Sequence, residues 1–205
     1  MASVLARTKL ARRARHLNAE HGWPLPALVF VTDDQRVPDP VAAAKALPHG
    51  SAVILRHRDK KRRAKLGEAL AQCARQRNLV LLVAGDQALA RRLDADCVHF
   101  SESQFDEIAP TRTRRAHWII TAAAHSEHAL LRAHICGADA GLLAPLFPTK
   151  SHPNKKEFGL SRFRLLALRS PLAVYALGGV TAMNAERLSH ARVAGIAAID
   201  GLLPR

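Results

Sequence analysis

Eight short apolar runs, with helix-like segments between most of them, constrain the fold of this chain more than any other feature. Their starts are separated by roughly 18 to 32 positions. The runs occupy residues 27–32, 52–55, 79–83, 97–100, 118–122, 141–146, 172–177 and 195–199. Several are almost wholly apolar instead of alternating, which is typical of parallel strands that are buried on both faces.

The segments between these strands carry helical patterns. They occupy residues 40–47, 60–76, 87–93, 126–136, 161–168 and 182–191. Eight strands that alternate mainly with helices predict a small (β/α)8 TIM barrel. A doubly wound open sheet is the alternative, but the first strand-to-helix turn, residues 32–36, lacks the glycine fingerprint of that fold.

The two ends of the chain complement each other in this interpretation. Residues 4–20 are predicted to form a helix with Leu5, Leu10, Ala14 and Leu17 on one side. The sequence stops four residues after Gly201, so the eighth helix is expected to be very short or absent. We therefore divide the chain into a basic N-terminal helix and linker, residues 1–26, and a single barrel, residues 27–205, and expect that helix to cover the exposed side.

The charge is strongly basic and unevenly placed. The net charge of +14 is concentrated in residues 1–26, 56–65 and 150–164, which favours anionic substrates or polyanions. Nucleic-acid binding is disfavoured because only 4% of residues are aromatic and none interleaves with a basic run. Residues 60–65 are open to two interpretations, a solvated helix face or a binding surface.

The cysteines and the apolar runs bear on location. Three cysteines without a CxxC pattern fit a reduced, cytoplasmic setting and disfavour a structural zinc site. No apolar run reaches the roughly 18 residues of a membrane span. The Arg-rich start of the chain faintly resembles a transit peptide, although a basic amphipathic helix is the commoner explanation.

A glycine pair follows the seventh predicted strand. Gly178 and Gly179 would let backbone amides approach a ligand closely, because no Cβ stands in the way. A plain strand-to-helix turn is the simpler explanation of an isolated pair. In barrels of this class, however, phosphate sites commonly lie after strands seven and eight, and Gly201 follows the eighth. This placement favours a phosphate site at Gly178, Gly179 and Gly201.

The strand ends, taken in order, resemble the thiamine phosphate synthase and thiazole tautomerase (TenI-like) superfamily from about Leu28 to Gly201. The matching pieces are residues 29–33, 55–56, 89–90, 95–99, 125–126, 137–139, 145–149, 175–180 and 194–197. The resemblance implies a barrel of thiamine biosynthesis that binds a phosphorylated thiazole. In the synthases it is condensed with an aminopyrimidine pyrophosphate in the presence of Mg²⁺, and pyrophosphate is released. The resemblance is also compatible with a homodimer.

The active site departs from the family pattern. The two metal-binding aspartates align with Gly85 and Gln104, while Asp86 and Glu102 lie nearby in sequence. Ile54 aligns with a polar residue of strand two. Ala123 aligns with the serine expected at strand five, and Asp200 aligns with the serine expected at strand eight. We therefore assign no metal ligand, and Mg²⁺ is expected only if the chemistry is of the synthase type.

The cationic and proton-transferring positions are better preserved. Candidates for phosphate or pyrophosphate binding are Arg56, Arg58, Thr149, Lys150 and His152. Asp33 could instead pair with Arg56, and His99 is interpreted as a hydrogen-bonded barrel histidine.

His125 matches the position that transfers protons in the tautomerases, so it is the candidate catalytic residue. A simple polar residue beside the next helix is an equally good interpretation. Three functions stay open: synthase-type condensation, metal-independent tautomerisation through His125, and a non-catalytic phosphate- or polyanion-binding paralogue.

Overall fold

Eight parallel strands pair in sequence order, and β8 closes the barrel against β1. The computed structural model describes residues 4–95, 97–149 and 157–203. The closing pairs are Leu28 with Ile196 and Phe30 with Ala198. The strands are β1 Leu28–Val31, β2 Ala52–Leu55, β3 Val80–Ala84, β4 Cys97–Phe100, β5 Ile119–Ala124, β6 Ala140–Leu143, β7 Ala173–Ala176 and β8 Gly195–Ala198. The (β/α)8 prediction is therefore confirmed.

Helices surround the strands on the outside. They are α1 Val4–His21, α2 Pro40–Lys45, α3 Lys60–Arg77, α4 Gln87–Arg92, α5 Ile108–Arg114, α6 Glu127–Cys136 and α7 Gly159–Arg169. Side chains at their first turns explain several of the starts. Asp59 caps α3 by accepting from the Arg62 amide, and Ser126 caps α6 in the same way from the Ala129 amide.

Two connections differ from the sequence prediction. Residues 102–114, for which no helix was predicted, form a 3₁₀ turn, Glu102–Glu107, that leads directly into α5. The helix predicted over 182–191 is wrong, because this segment forms only a 3₁₀ turn, Ala185–Leu188. There the Asn184 side chain accepts from the Thr181 amide and donates to the Gly179 carbonyl, which closes a tight turn.

Alternation along the strands creates two apolar cores. Small and branched side chains such as Ala52, Ile54 and Ala197 fill the barrel interior together with Tyr175. The hydroxyl of buried Tyr175 donates to the Pro26 carbonyl at 2.7 Å. The opposite faces of the strands pack against the helices and form the larger outer core.

The N-terminal helix packs where a full eighth helix would lie. After β8 the chain forms only a 3₁₀ turn, Asp200–Leu202, and α1 packs against β8 and β1. Leu10 and Leu17 are fully buried there. Leu5 is exposed, contrary to the prediction, because five residues before Leu10 is about 140° around a helix. No helix in the described part of the chain is long and apolar enough to cross a membrane.

Candidate active site

A cleft opens at the carboxyl ends of β7 and β8. Its volume is about 500 Å³, and we call it the β7–β8 cleft. The described residues that line it are Arg36, Pro148, Thr149, Leu177, Gly178, Gly179, Val180, Thr181, Ala197, Ala198, Ile199, Asp200, Gly201 and Leu203. The structure therefore brings together four of the predicted phosphate-binding residues, Thr149, Gly178, Gly179 and Gly201.

Both residues of the glycine pair have left-handed backbone conformations. Their φ angles are +93° at Gly178 and +66° at Gly179. A Cβ on Gly178 would lie 2.8 Å from the Pro145 Cα, and one on Gly179 would lie 2.4 Å from the Pro148 carbonyl oxygen. Glycine is thus required here because the turn packs tightly on the loop after β6, whatever ligand the cleft holds.

The backbone amides of this turn provide the chemistry. Within the described residues, the Gly179 and Val180 N–H groups donate no hydrogen bond. The Thr181 N–H, by contrast, is taken by the Asn184 side chain at 2.8 Å. Successive unpaired amides in a turn form a concave anion site, so this backbone can donate to a phosphate.

Arg36 also lines the cleft, although the sequence did not indicate it as a site residue. Its Nη2 donates to Asp33 Oδ2 at 3.1 Å, and its Nη1 donates to Asp200 Oδ2 at 3.3 Å. The backbone amides of Gln35 and Arg36 both donate to Asp33 Oδ1 at 3.1 Å. Burial opposes ionisation of Asp33, but these hydrogen bonds and the Arg36 charge outweigh it and hold its pKa below the ordinary value. The spacing of Asp33 and Arg36, three residues apart just after a strand, was the available signal.

The strand-two cations lie outside this lining. Arg56 Nη1 donates to Asp33 Oδ2 at 3.3 Å, so the pairing that the sequence allowed between these two residues exists. The Arg56 side chain is half exposed. Arg58 is exposed in the turn before α3. Both residues lie on the β2–α3 loop, and neither lines the β7–β8 cleft.

His125 lies directly after β5 and is bound to a carboxylate. Glu102 Oε1 lies 2.7 Å from His125 Nδ1 and accepts the His125 backbone N–H at 2.7 Å. One carboxylate oxygen thus contacts both the ring and the backbone. When Nδ1 carries the proton that faces Glu102, the lone pair of the neutral ring is at Nε2. A carboxylate that orients a histidine is a feature that general acid and base chemistry uses.

His99 lies on β4 among the barrel residues. Its Nδ1 is 2.9 Å from Thr121 Oγ1 on the neighbouring strand β5. Burial, followed by the positive charge of Arg56, lowers the pKa of His99 to about 4. His99 is therefore neutral near pH 7, and the hydrogen-bonded barrel histidine expected from the sequence is what the geometry shows.

The Mg²⁺ that the resemblance implies does not fit the residues present. Gly85 and Gln104 are adjacent, since a Cβ on Gly85 would lie 2.9 Å from Gln104 Oε1, but neither carries a carboxylate. Asp86 caps α4 and binds Arg63 Nη2 at 2.8 Å, and Glu102 is engaged with His125. In the described ranges, no group of three or more His, Cys, Asp or Glu side chains could hold a metal ion.

The remaining predicted site residues are Lys150 and His152. Both lie outside the described residues. Glu102 is the partner that the sequence did not assign to His125. The two residues lie 23 positions apart, on the ends of neighbouring strands, so only the barrel topology places them together.

Comparison with known proteins shows the family. The family model described as thiamine monophosphate synthase matches residues 28–202. The chain belongs to the thiamine monophosphate synthase family. It is 34% identical to a thiamine-phosphate synthase of Chromobacterium violaceum over 175 residues, which covers 83% of each chain. It is 30% identical to a thiamine-phosphate synthase of Alcanivorax borkumensis, covering 87% of this chain and 85% of the other.

A solved structure agrees with this assignment at the level of the fold. A thiamine phosphate pyrophosphorylase from Pyrococcus furiosus covers 84% of each chain with a TM-score of 0.68 and 24% sequence identity. The chain is accordingly a thiamine phosphate synthase-like barrel, as the resemblance of its strand ends predicted.

Proposed function

We propose that this chain is a thiamine phosphate synthase-like enzyme that holds the phosphate of a phosphorylated thiazole in the β7–β8 cleft. The observation that carries the proposal is the turn at Gly179 and Val180, whose amides donate no hydrogen bond to the described residues and which lines a cleft that also contains Arg36. Charge-assisted hydrogen bonds from backbone amides and a guanidinium are the contacts that bind phosphate most strongly. The named synthase relatives support a transferase role.

The residues near the cleft would position the thiazole for condensation with the aminopyrimidine pyrophosphate. The amides anchor one end of the substrate, and a fixed anchor contributes to rate because it orients the reacting ring. Arg56 and Arg58, on the neighbouring β2–α3 loop, would provide positive charge for a leaving pyrophosphate. No step is assigned to a metal ion, because Gly85 and Gln104 cannot supply the carboxylates.

A second function, tautomerisation of the thiazole phosphate, is favoured by one specific contact. Glu102 holds His125 through two hydrogen bonds of 2.7 Å each. A histidine oriented in this way can remove a proton from one atom of the ring and return it to another, with no net gain or loss of protons. This reaction requires neither the pyrimidine nor a divalent cation.

One set of assays separates these functions. Purified protein receives thiazole phosphate with and without the pyrimidine pyrophosphate and Mg²⁺, and products are resolved by chromatography. Condensation product in the presence of the pyrimidine supports the synthase. Isomerisation of the thiazole alone, lost in His125→Ala and kept in His128→Ala, supports the tautomerase, since His128 is exposed on α6 in the same region.

Negative results are also informative. Absence of both activities, with thiazole phosphate still bound, leaves the non-catalytic paralogue. Absence of binding refutes the role of the cleft. Salt-sensitive binding to nucleic acid that disappears when residues 60–65 are neutralised would support the polyanion alternative instead.

A further inference from the structure

We propose that Arg36 is a direct ligand of the phosphate, oriented by Asp33 and restrained by Asp200. This inference rests on the proposed function, because it assumes that the β7–β8 cleft holds a phosphate. It adds a side chain from the β1 loop to a site otherwise formed by the loops after β6, β7 and β8. In this arrangement, the negative charge of Asp200 opposes phosphate binding.

Arg36 has a firm partner on one side and an exchangeable one on the other. Asp33, whose side chain is 11% exposed, also accepts from Arg56 and from two backbone amides, so it is a fixed anchor. Asp200 is 55% exposed and contacts Arg36 through a single pair of atoms at 3.3 Å. The guanidinium has five N–H donors, and these two contacts leave others for a ligand in the cleft that it lines.

The charges around the cleft make this role specific. Of the described residues that line it, Arg36 and Asp200 are the ones that ionise, so their charges cancel before a ligand enters. A phosphate brings negative charge, which Arg36 attracts and Asp200 repels. The exposure of Asp200 weakens the repulsion through solvent screening, so its effect should be smaller than that of Arg36.

A purely structural role for Arg36 makes a different prediction. If Arg36 only braces the β1 loop against the 3₁₀ turn after β8, then Arg36→Gln in a chain that stays folded leaves the phosphate affinity nearly unchanged, because the Gly179 and Val180 amides still bind the anion. If Arg36 binds phosphate, the same substitution weakens binding in the folded chain. Asp200→Asn removes a charge that repels the anion and should strengthen binding with either role, so Arg36→Gln is the deciding variant.

The test is a titration with inorganic phosphate at low salt, followed by backbone amide NMR. In the wild-type chain, we expect saturable shifts at the Gly179 and Val180 amides. Arg36→Gln should weaken binding about tenfold or more, as expected for loss of a charge-assisted hydrogen bond. Arg36→Lys should recover part of this, and Asp200→Asn should tighten binding about threefold. Arg132→Gln is the control, because it breaks an exposed pair with Asp106 and changes the net charge by the same amount as Arg36→Gln. It should leave the phosphate affinity unchanged.

The outcomes distinguish the inference from the function on which it rests. If the wild-type Gly179 and Val180 amides do not respond to phosphate, the cleft is not the phosphate site and both are refuted. If they respond, but Arg36→Gln in a folded chain binds as tightly as wild type, only the role of Arg36 is refuted. If Asp200→Asn fails to tighten binding, the opposing role of Asp200 is refuted. The folded amide spectrum of each variant shows whether a weaker affinity reflects unfolding, and the gain in Asp200→Asn does not depend on that check.

Discussion

The neutral state of His99 has a measurable consequence for stability below neutral pH. Because burial lowers the pKa of His99 to about 4 in the folded chain, the unfolded chain, with an ordinary value near 6.5, takes up the proton first as pH falls. The folded state therefore loses stability relative to the unfolded state as pH drops from about 6.5 to about 4, and this contribution is flat outside that range.

The size of this effect follows from the two pKa values. At 1.36 kcal/mol per pKa unit, the difference between 6.5 and about 4 corresponds to about 3 kcal/mol, most of it already lost at pH 4.5. The variant for comparison is His99→Gln, because glutamine does not titrate and can still reach the Thr121 hydroxyl. Acid effects from the carboxylates are common to both chains and cancel in the difference.

Urea unfolding of both chains at pH 7.5, 6.0 and 4.5 provides the measurement. Relative to His99→Gln, the wild type should lose about 2 to 3 kcal/mol of unfolding free energy between the first and last pH. Histidine NMR titration supplies an independent value for His99. A difference between the two chains that does not change with pH, or a His99 resonance that titrates near 6.5, would refute the reasoning.

Two further predictions concern packing. Gly179→Ala should destabilise the barrel by about 2 kcal/mol or more and weaken phosphate binding, because its Cβ would collide with the Pro148 carbonyl. The control is Gly22→Ala, which has a similar φ of +63° but no atom within 4 Å of the new Cβ. It should cost only about 1 kcal/mol. Thermal unfolding compares the two, and equal losses would contradict the collision. Leu10→Ala should cost about 3 kcal/mol and Leu5→Ala close to nothing, as denaturant unfolding would show, since only Leu10 is buried under the barrel.

The strands were predictable because burial on both faces leaves an unmistakable apolar run. Residues 52–55 and 97–100 were placed with the observed bounds, and the others differ by one to three residues at an end. The segment 182–191 was not predictable as a turn, since its helical pattern is overridden by Asn184, whose side chain bonds two backbone groups. Local propensity does not report such a side-chain bond.

Within the site, sequence position was sufficient where the backbone provides the chemistry. Gly178, Gly179 and Gly201 are at strand ends whose meeting is fixed by the barrel closure, so their order along the chain predicts their proximity. Side-chain partnerships were harder. The Glu102–His125 pair spans 23 positions, and the Arg36–Asp200 pair spans 164. Side-chain rotamers and loop conformations bring these residues together, and no rule of sequence spacing predicts either pair.

At Gly85, both the backbone conformation and the packing of Gln104 disfavour the metal-binding aspartate that the family resemblance implies. Gly85 has a φ of +62°, which Asp tolerates better than most residues but which still costs free energy. The volume that its side chain would enter is already filled by the Gln104 amide, whose Nε2 also bonds Glu107 at 3.2 Å. Asp86, one residue later, is committed to capping α4 and to Arg63. The loop after β3 therefore offers only neutral or internally paired groups at these positions. The proposed phosphate site is formed by a different loop, the turn after β7, and by its backbone amides, so the replacement of the metal carboxylates does not remove it.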